Sequence, residues 1–176
     1  MANRIPPSVV AHHEAGHAVA SYFLALKIKR VTIIPSGDSR GLLEHWPMPR
    51  WFHPELAEYG DVRHRYLIER HVQVFLAGPE AEARLIGRHN WKHGASDLDS
   101  AVSMLSYISG SGEETSARLR LSRIQADQIV RKHWTLIQRL AAVLVERKTM
   151  TGPEVVNAIN SVMREETGGV FGGVGF

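Results

Sequence analysis

The stretch Val9-Val10-Ala11-His12-His13-Glu14-Ala15-Gly16-His17-Ala18-Val19-Ala20 decides how this chain is read. Val10, His13, His17, Ala20 and Leu24 recur at spacings of three and four, the period of one face of an α-helix. His13 and His17 therefore sit one turn apart on that face and can present two imidazoles to a single zinc ion. Glu14 projects beside them, where a carboxylate can take the proton of an attacking water. The pattern is H-E-x-x-H. The rest of the stripe is apolar, so the two rings point toward a core. Pro6 and Pro7 suit a helix entry, where a missing N–H does no harm. Gly16 costs roughly 1 kcal/mol relative to Ala in a helix interior, and reads either as a point of close backbone approach or as a tolerated glycine. His12 lies about 100° round the helix and is a bystander.

Outward from this helix, placed at Ser8–Lys27, residues 30–35 are β-branched and strand-like. A turn follows at Ser36-Gly37-Asp38-Ser39, and Gly41–Trp46 reads as the returning strand. Pro47, Pro49 and Pro54 open a loop. Residues 54–87 are helical in pattern, with a break at Gly60-Asp61 and a bend at Gly78-Pro79. A polar loop, 88–96, leads to a helix capped by Ser96 or Asp97 and running to Ser109. After Gly110-Ser111-Gly112 a long helix covers 113–148, with Ile129, His133, Leu136, Leu140 and Val143 on one face and His133 as a core or boundary residue. Pro153–Arg164 makes a last short helix. The fold expected is mainly α, with one small β-sheet beside the motif helix and a long C-terminal helical hairpin or bundle. Residues 1–167 form a single domain, followed by a glycine-rich flexible tail, 168–176. Trp46, Trp51, Phe52 and Trp91 are candidates to line or rim a cleft.

Composition narrows the function. At 176 residues the chain can bury a core. Its net charge of +3 is spread over amphipathic stretches, which points to solvated faces rather than to nucleic-acid binding. The absence of cysteine removes disulfides, thiolate metal sites and thiol nucleophiles together. No apolar run approaches the roughly 20 residues of a membrane span, and the N-terminus lacks the layout of a secretion signal. The expectation is a cytoplasmic protein without a membrane span.

Two histidines leave zinc short of a third protein ligand, the fourth position being kept for water in catalytic sites. The pattern H-E-x-x-H-x-x-G-x-x-H is excluded, because Ala20 and Phe23 stand at its Gly and third His positions. Glu80, Glu82, His89, His93, Asp97 and Asp99 remain as candidates, and spacing does not choose among them. A structural zinc site would need a fourth protein ligand, for which only His93 offers itself.

Five ordered segments carry more information: HEAGHAV (13–19), KRVTIIPSGD with RG (29–41), LAGPEAEARLIG (76–87), HGASDLDSAV (93–102) and RLAAVLVERKTMTGPEVVNAI (139–159). In this order they resemble the peptidase domain of FtsH-type ATP-dependent zinc proteases. The resemblance implies a helical zinc-peptidase domain with Zn2+ as cofactor and Asp97 as third ligand beside His13 and His17. Glu82 falls on a family glutamate and is implied to back a ligand from behind. Glu14 is implied to be the general base of an endopeptidase acting on unfolded or flexible polypeptides. The family's rings imply a homo-oligomer, a hexamer by analogy. The family's ATPase domain and transmembrane segments have no counterpart here, so an ATPase partner acting in trans is implied. Further departures are Pro79 and Glu80 for the family's Arg and Ala, and Ser96 where the family has Asn before the Asp. The alternative is a non-catalytic metal-binding adaptor or regulatory module; a retained Glu14 speaks against it, since pure metal binding has no use for that carboxylate.

Overall fold

The computed structural model describes residues 5–37, 39–56, 61–90 and 92–168. Asp38 of the expected turn, Gly60 of the expected break, Trp91 and the tail beyond Gly168 lie outside them. Helix α1 spans Pro7–Phe23, and every residue from Val9 to Ser21 except His12 is buried. A helix buried nearly all round is a central one. Its alanines at 11, 15, 18 and 20 are fully covered, which lets neighbouring helices come close. It ends four residues before the expected Lys27. Leu26 N–H reaches back to Ser21 O (2.8 Å) and Ala25 N–H to Tyr22 O (3.1 Å), while Ala25 takes φ 52°. This is a Schellman cap closed by alanine instead of glycine, so the usual stop signal is missing from the sequence.

Strands β1 (Ile28–Thr32), β2 (Leu42–His45) and β3 (Thr149–Thr151) form an antiparallel sheet in the order β2-β1-β3. Val31 pairs with Leu43 on one side and Met150 on the other, and both Val31 and Met150 are buried. The small sheet beside α1 is as expected, but β3 was not foreseen; three residues between two helices are too few to show a period of two. Ile33 N–H donates to Lys148 O on the β3 side, and Trp46 N–H donates to Lys27 O on the β1 side. Backbone groups alternate along antiparallel strands, so those of Leu43 and His45 face the open edge of β2.

Helix α2 (Val62–Ile86) starts at Asp61, whose carboxylate accepts from Arg63 N–H (2.8 Å) and His64 N–H (3.3 Å), and stops at Gly87 with φ 77°. It runs on through Gly78-Pro79. Helix α3 (Ala95–Ser106) begins before the expected Ser96 or Asp97 cap and ends before Ser109; Gly94 is its N-cap and no side chain caps it. Asp97 is occupied elsewhere, as described below. The expected helix 113–148 is two helices, α4 (Gly112–Lys132) and α5 (Trp134–Arg147), broken at His133 (φ −113°, ψ 28°). The His133 ring stacks on Phe23 at 3.6 Å. The break lets α4 lie on α2 and α3 while α5 turns onto α1. With neither Gly nor Pro at the junction, the sequence gives no warning of it. Helix α6 (Gly152–Gly168) packs against α5 and β1. Among the described residues no helix is long and apolar enough to cross a membrane.

Candidate metal centre

Three side chains from two distant segments converge at the side of α1. His13 Nε2 lies 3.0 Å from Asp97 Oδ2, and His17 Nε2 lies 3.5 Å from Asp97 Oδ1. The two imidazoles stand edge to face with centroids 4.7 Å apart. Tetrahedral donors at about 2.0–2.1 Å from zinc are separated by about 3.3 Å, so these spacings fit an ion between them. The remaining ring nitrogens are engaged behind. His17 Nδ1 donates to Val74 O (2.7 Å) and His13 Nδ1 donates to Glu82 Oε2 (3.1 Å). Each ring thus turns its Nε2 toward the gap, the arrangement that orients metal-binding imidazoles.

The charges make the same point. Burial alone would lower the pKa of His13, but hydrogen bonds to Asp97 and Glu82 raise it to about 10. Burial would push Glu82 up; His13 and His93 hold it down at about 2. Asp97 is likewise pulled well below its ordinary value by His17 and His13, against the effect of burial. Carboxylates so placed demand positive charge, which protons or a metal cation can supply. Glu14 behaves differently: burial raises it above the ordinary carboxylate range, with His17 and His13 only partly offsetting this. It is the carboxyl of this group that burial pushes toward its protonated form.

Close backbone approach builds this geometry. A Cβ on Gly16 would come within 2.6 Å of Ala77 O and of Ala81 Cβ, so the close-approach reading of Gly16 holds. A Cβ on Gly78 would fall 2.3 Å from His17 Nε2, and one on Gly41 2.5 Å from Glu14 Oε1. The three glycines admit α2 to α1, the His17 ring to α2, and the start of β2 to Glu14. A cleft of about 870 Å³ opens here, with His13, Glu14, His17 and Asp97 at its base and Gly41, Leu43 and His45 along one wall.

The other candidates divide cleanly. Glu82 joins His13 from behind and also accepts from His93 Nδ1, while its Oε1 is buried with no partner among the described residues. His13, Glu82 and His93 form a second group with metal-binding spacing, but Glu82 meets His13 at Nδ1 rather than at the Nε2 that meets Asp97. Glu80 pairs with Arg123 (2.7 Å) and His89 (3.3 Å), away from the cluster. Asp99 is exposed on α3. His12 bonds to Ser8 O in its own helix and rests near Trp134. Sequence reasoning missed the roles of Val74 O, Gly78 and Gly41. It also missed Ser21, whose hydroxyl donates to His17 O (2.8 Å) and accepts from His45 Nε2 (2.9 Å). A backbone carbonyl leaves no mark in a sequence, but the glycines inside apolar segments are visible.

Residues 4–108 match the sequence profile described as peptidase family M41. The chain belongs to that family. It is similar to the ATP-dependent zinc metalloprotease FtsH of Rickettsia conorii, 27% identical over 191 residues, covering 86% of this chain and 29% of the relative. It also resembles the chloroplastic/mitochondrial FTSH 9 of Oryza sativa subsp. japonica, at 25% identity over 89% of this chain and 22% of the relative. A shorter match to the FtsH of Metamycoplasma arthritidis reaches 33% over 92 residues, 51% of this chain and 11% of that protein. The M41 chain thus spans under a third of the length of these relatives. The FtsH-type resemblance of its segments is borne out.

Proposed function

We propose that this M41 chain is a zinc-dependent endopeptidase that cuts unfolded or flexible polypeptides. The observation that carries the reading is the buried Glu14 carboxyl beside the convergent His13, His17 and Asp97, at the base of a cleft walled by an open strand edge. His13 and His17 through Nε2, and Asp97 through its carboxylate, would hold the ion. Zinc in such a site supplies Lewis acidity, bringing the ionisation of water from about 15.7 toward about 7 and polarising a carbonyl oxygen. Glu14 takes the proton of the attacking water on a carboxylate oxygen and passes it to the nitrogen of the leaving amine. Val74 O and Glu82 hold the two imidazoles in their tautomers throughout. The N–H and C=O groups of Leu43 and His45, unpaired among the described residues, accept an extended substrate as an added strand, which keeps its backbone beside Glu14. Flexible chains should be cut without nucleotide; folded ones need an unfolding activity from elsewhere.

The test is cleavage of a fluorescently labelled unfolded protein by zinc-loaded protein, with Glu14→Gln and Asp97→Ala in parallel. Glu14→Gln should keep its zinc and lose cleavage, and Asp97→Ala should lose zinc. Cleavage surviving in Glu14→Gln would remove Glu14 as the base. Unchanged zinc in Asp97→Ala would remove it as a ligand.

A further inference from the structure

Beyond the C-terminal end of β2 lies a second cavity of about 430 Å³ that no step above uses. Trp46, Met48, Trp51, Tyr66 and Leu67 form its walls. Three of its aromatic rings are markedly exposed, Trp46 at 59%, Trp51 at 45% and Tyr66 at 62%. Open aromatic surface around a concavity is a mark of ligand binding rather than of folding. Lys27, Arg63 and Arg70 also line it, and no carboxylate does among the described residues. The Arg63 guanidinium stands 5.6 Å from the Trp51 ring centre and that of Arg70 5.1 Å from Tyr66, so the cations frame the aromatic walls.

The two cavities adjoin one strand. His45 lines both the cleft and this pocket. Gly41, against Glu14, and Trp46, in the pocket, are five residues apart, about 17 Å at about 3.4 Å per residue. A polypeptide added to the open edge of β2 therefore reaches the pocket about five residues from the bond at Glu14. Addition antiparallel to β2, as in the other two pairings of this sheet, sets that residue on the N-terminal side of the cut.

Resting on the peptidase reading, we infer that this pocket is a substrate-anchoring subsite. It takes a large apolar or aromatic side chain of the polypeptide, with acidic neighbours meeting Lys27, Arg63 and Arg70. Substrate choice then depends on a residue several positions from the cut.

The test measures binding apart from catalysis. Fluorescein-labelled flexible peptides carrying Asp-Phe-Asp, Asp-Ser-Asp or Lys-Phe-Lys in an otherwise Gly/Ser/Thr sequence are titrated into zinc-loaded Glu14→Gln protein by fluorescence anisotropy. Phe→Ser should weaken binding at least ~10-fold. Lys for Asp should weaken it several-fold, with the difference shrinking at high salt. Trp46→Ser and Trp51→Ser, both at exposed positions, should erase the Phe preference while keeping zinc content and melting temperature. Arg70→Gln should erase most of the charge preference. Equal affinity of the Phe and Ser peptides for the parent protein would overturn the proposal, and so would a Phe preference that survives both Trp substitutions. The peptidase reading fails separately: Phe-dependent binding without cleavage by the unsubstituted protein keeps the pocket as a peptide site and removes the peptidase, whereas cleavage with no Phe preference does the reverse.

Discussion

Gly78→Ala is the smallest change that should disable the proposed zinc site. The added methyl would stand 2.3 Å from His17 Nε2, 2.4 Å from Cε1 and 2.8 Å from Cδ2, where ordinary contact begins at 3.4 Å. Either the ring or α2 must retreat by about 1 Å. The ring is tethered: its Nδ1–H bond to Val74 O is 2.7 Å and buried, one turn before Gly78 on the same helix. Moving the ring away from α2 stretches that bond beyond hydrogen-bonding range and frees a buried donor, at about 1–3 kcal/mol. It also carries Nε2 out of line with His13 and Asp97. Disturbing a partner that merely orients a ligand costs about 10–100-fold in metal affinity; moving the ligand itself should cost at least ~100-fold. Moving α2 away instead would open the close packing of Gly16 against Ala77 and Ala81 and lose that contact. The assay is competition for zinc against a chromogenic chelator, with thermal melting of the metal-free protein alongside. Gly112→Ala, at a position with open space around it, is the control. Zinc affinity and melting temperature both unchanged in Gly78→Ala would refute the argument.

Glu82→Gln should lower zinc affinity about 10-fold and Glu82→Ala up to about 100-fold, read by the same competition, because His13 Nδ1 loses first the charge and then the acceptor behind it. Affinities equal to the parent's would remove Glu82 from the site. His71, buried between Phe75 and His45, is held down at about 4 by burial first and by His45 and Arg70 second. Its folded pKa lies below the unfolded 6.5, so the unfolded chain binds the extra proton between them. The contribution of His71 to stability should be level above pH 6.5 and fall as pH drops from 6.5 toward 4, and the urea midpoint of His71→Asn should show a shallower fall over that window. Gly152→Ala would set a Cβ 1.9 Å from Ile28 O, a backbone atom of β1 that cannot swing aside. A loss of about 1–3 kcal/mol in urea unfolding is expected, and a neutral outcome would mean that α6 does not depend on this contact.

The legible parts of the molecule are those where chemistry and local period coincide. His13, Glu14 and His17 could be placed together because residues four apart on one helix need nothing beyond that helix. Asp97 could not be placed by spacing. It lies on another helix, and the nearby Asp99, about 200° further round α3, satisfies the same residue-type rule while facing away. Only the likeness of whole segments separated the two. The alanine-closed end of α1, the break at His133 and the three residues of β3 are each decided by tertiary contacts, against or without a local signal. Pro6 and Pro7 at the entry of α1, and Gly110-Ser111-Gly112 at that of α4, in contrast, were read correctly as boundaries.

What the sequence does hold, once the structure shows how to read it, is a second stripe that answers the first. Val74, Gly78 and Glu82 are spaced four apart on α2, so they share one face of it. That face supplies a carbonyl to His17, a gap for the His17 ring and a carboxylate to His13. The order is reversed: His17, later on α1, meets Val74, the earliest of the three, while His13 meets Glu82. The helices therefore run antiparallel through the site. Gly16 on α1 faces Ala77 and Ala81, interleaved with that stripe, and fixes how closely the two helices approach. The Nδ1 side of both imidazoles is thus held by the α1–α2 contact. Asp97 and Glu14 act on a pair of rings already aimed, so substitutions at Asp97 should change how tightly an ion is held without turning either ring.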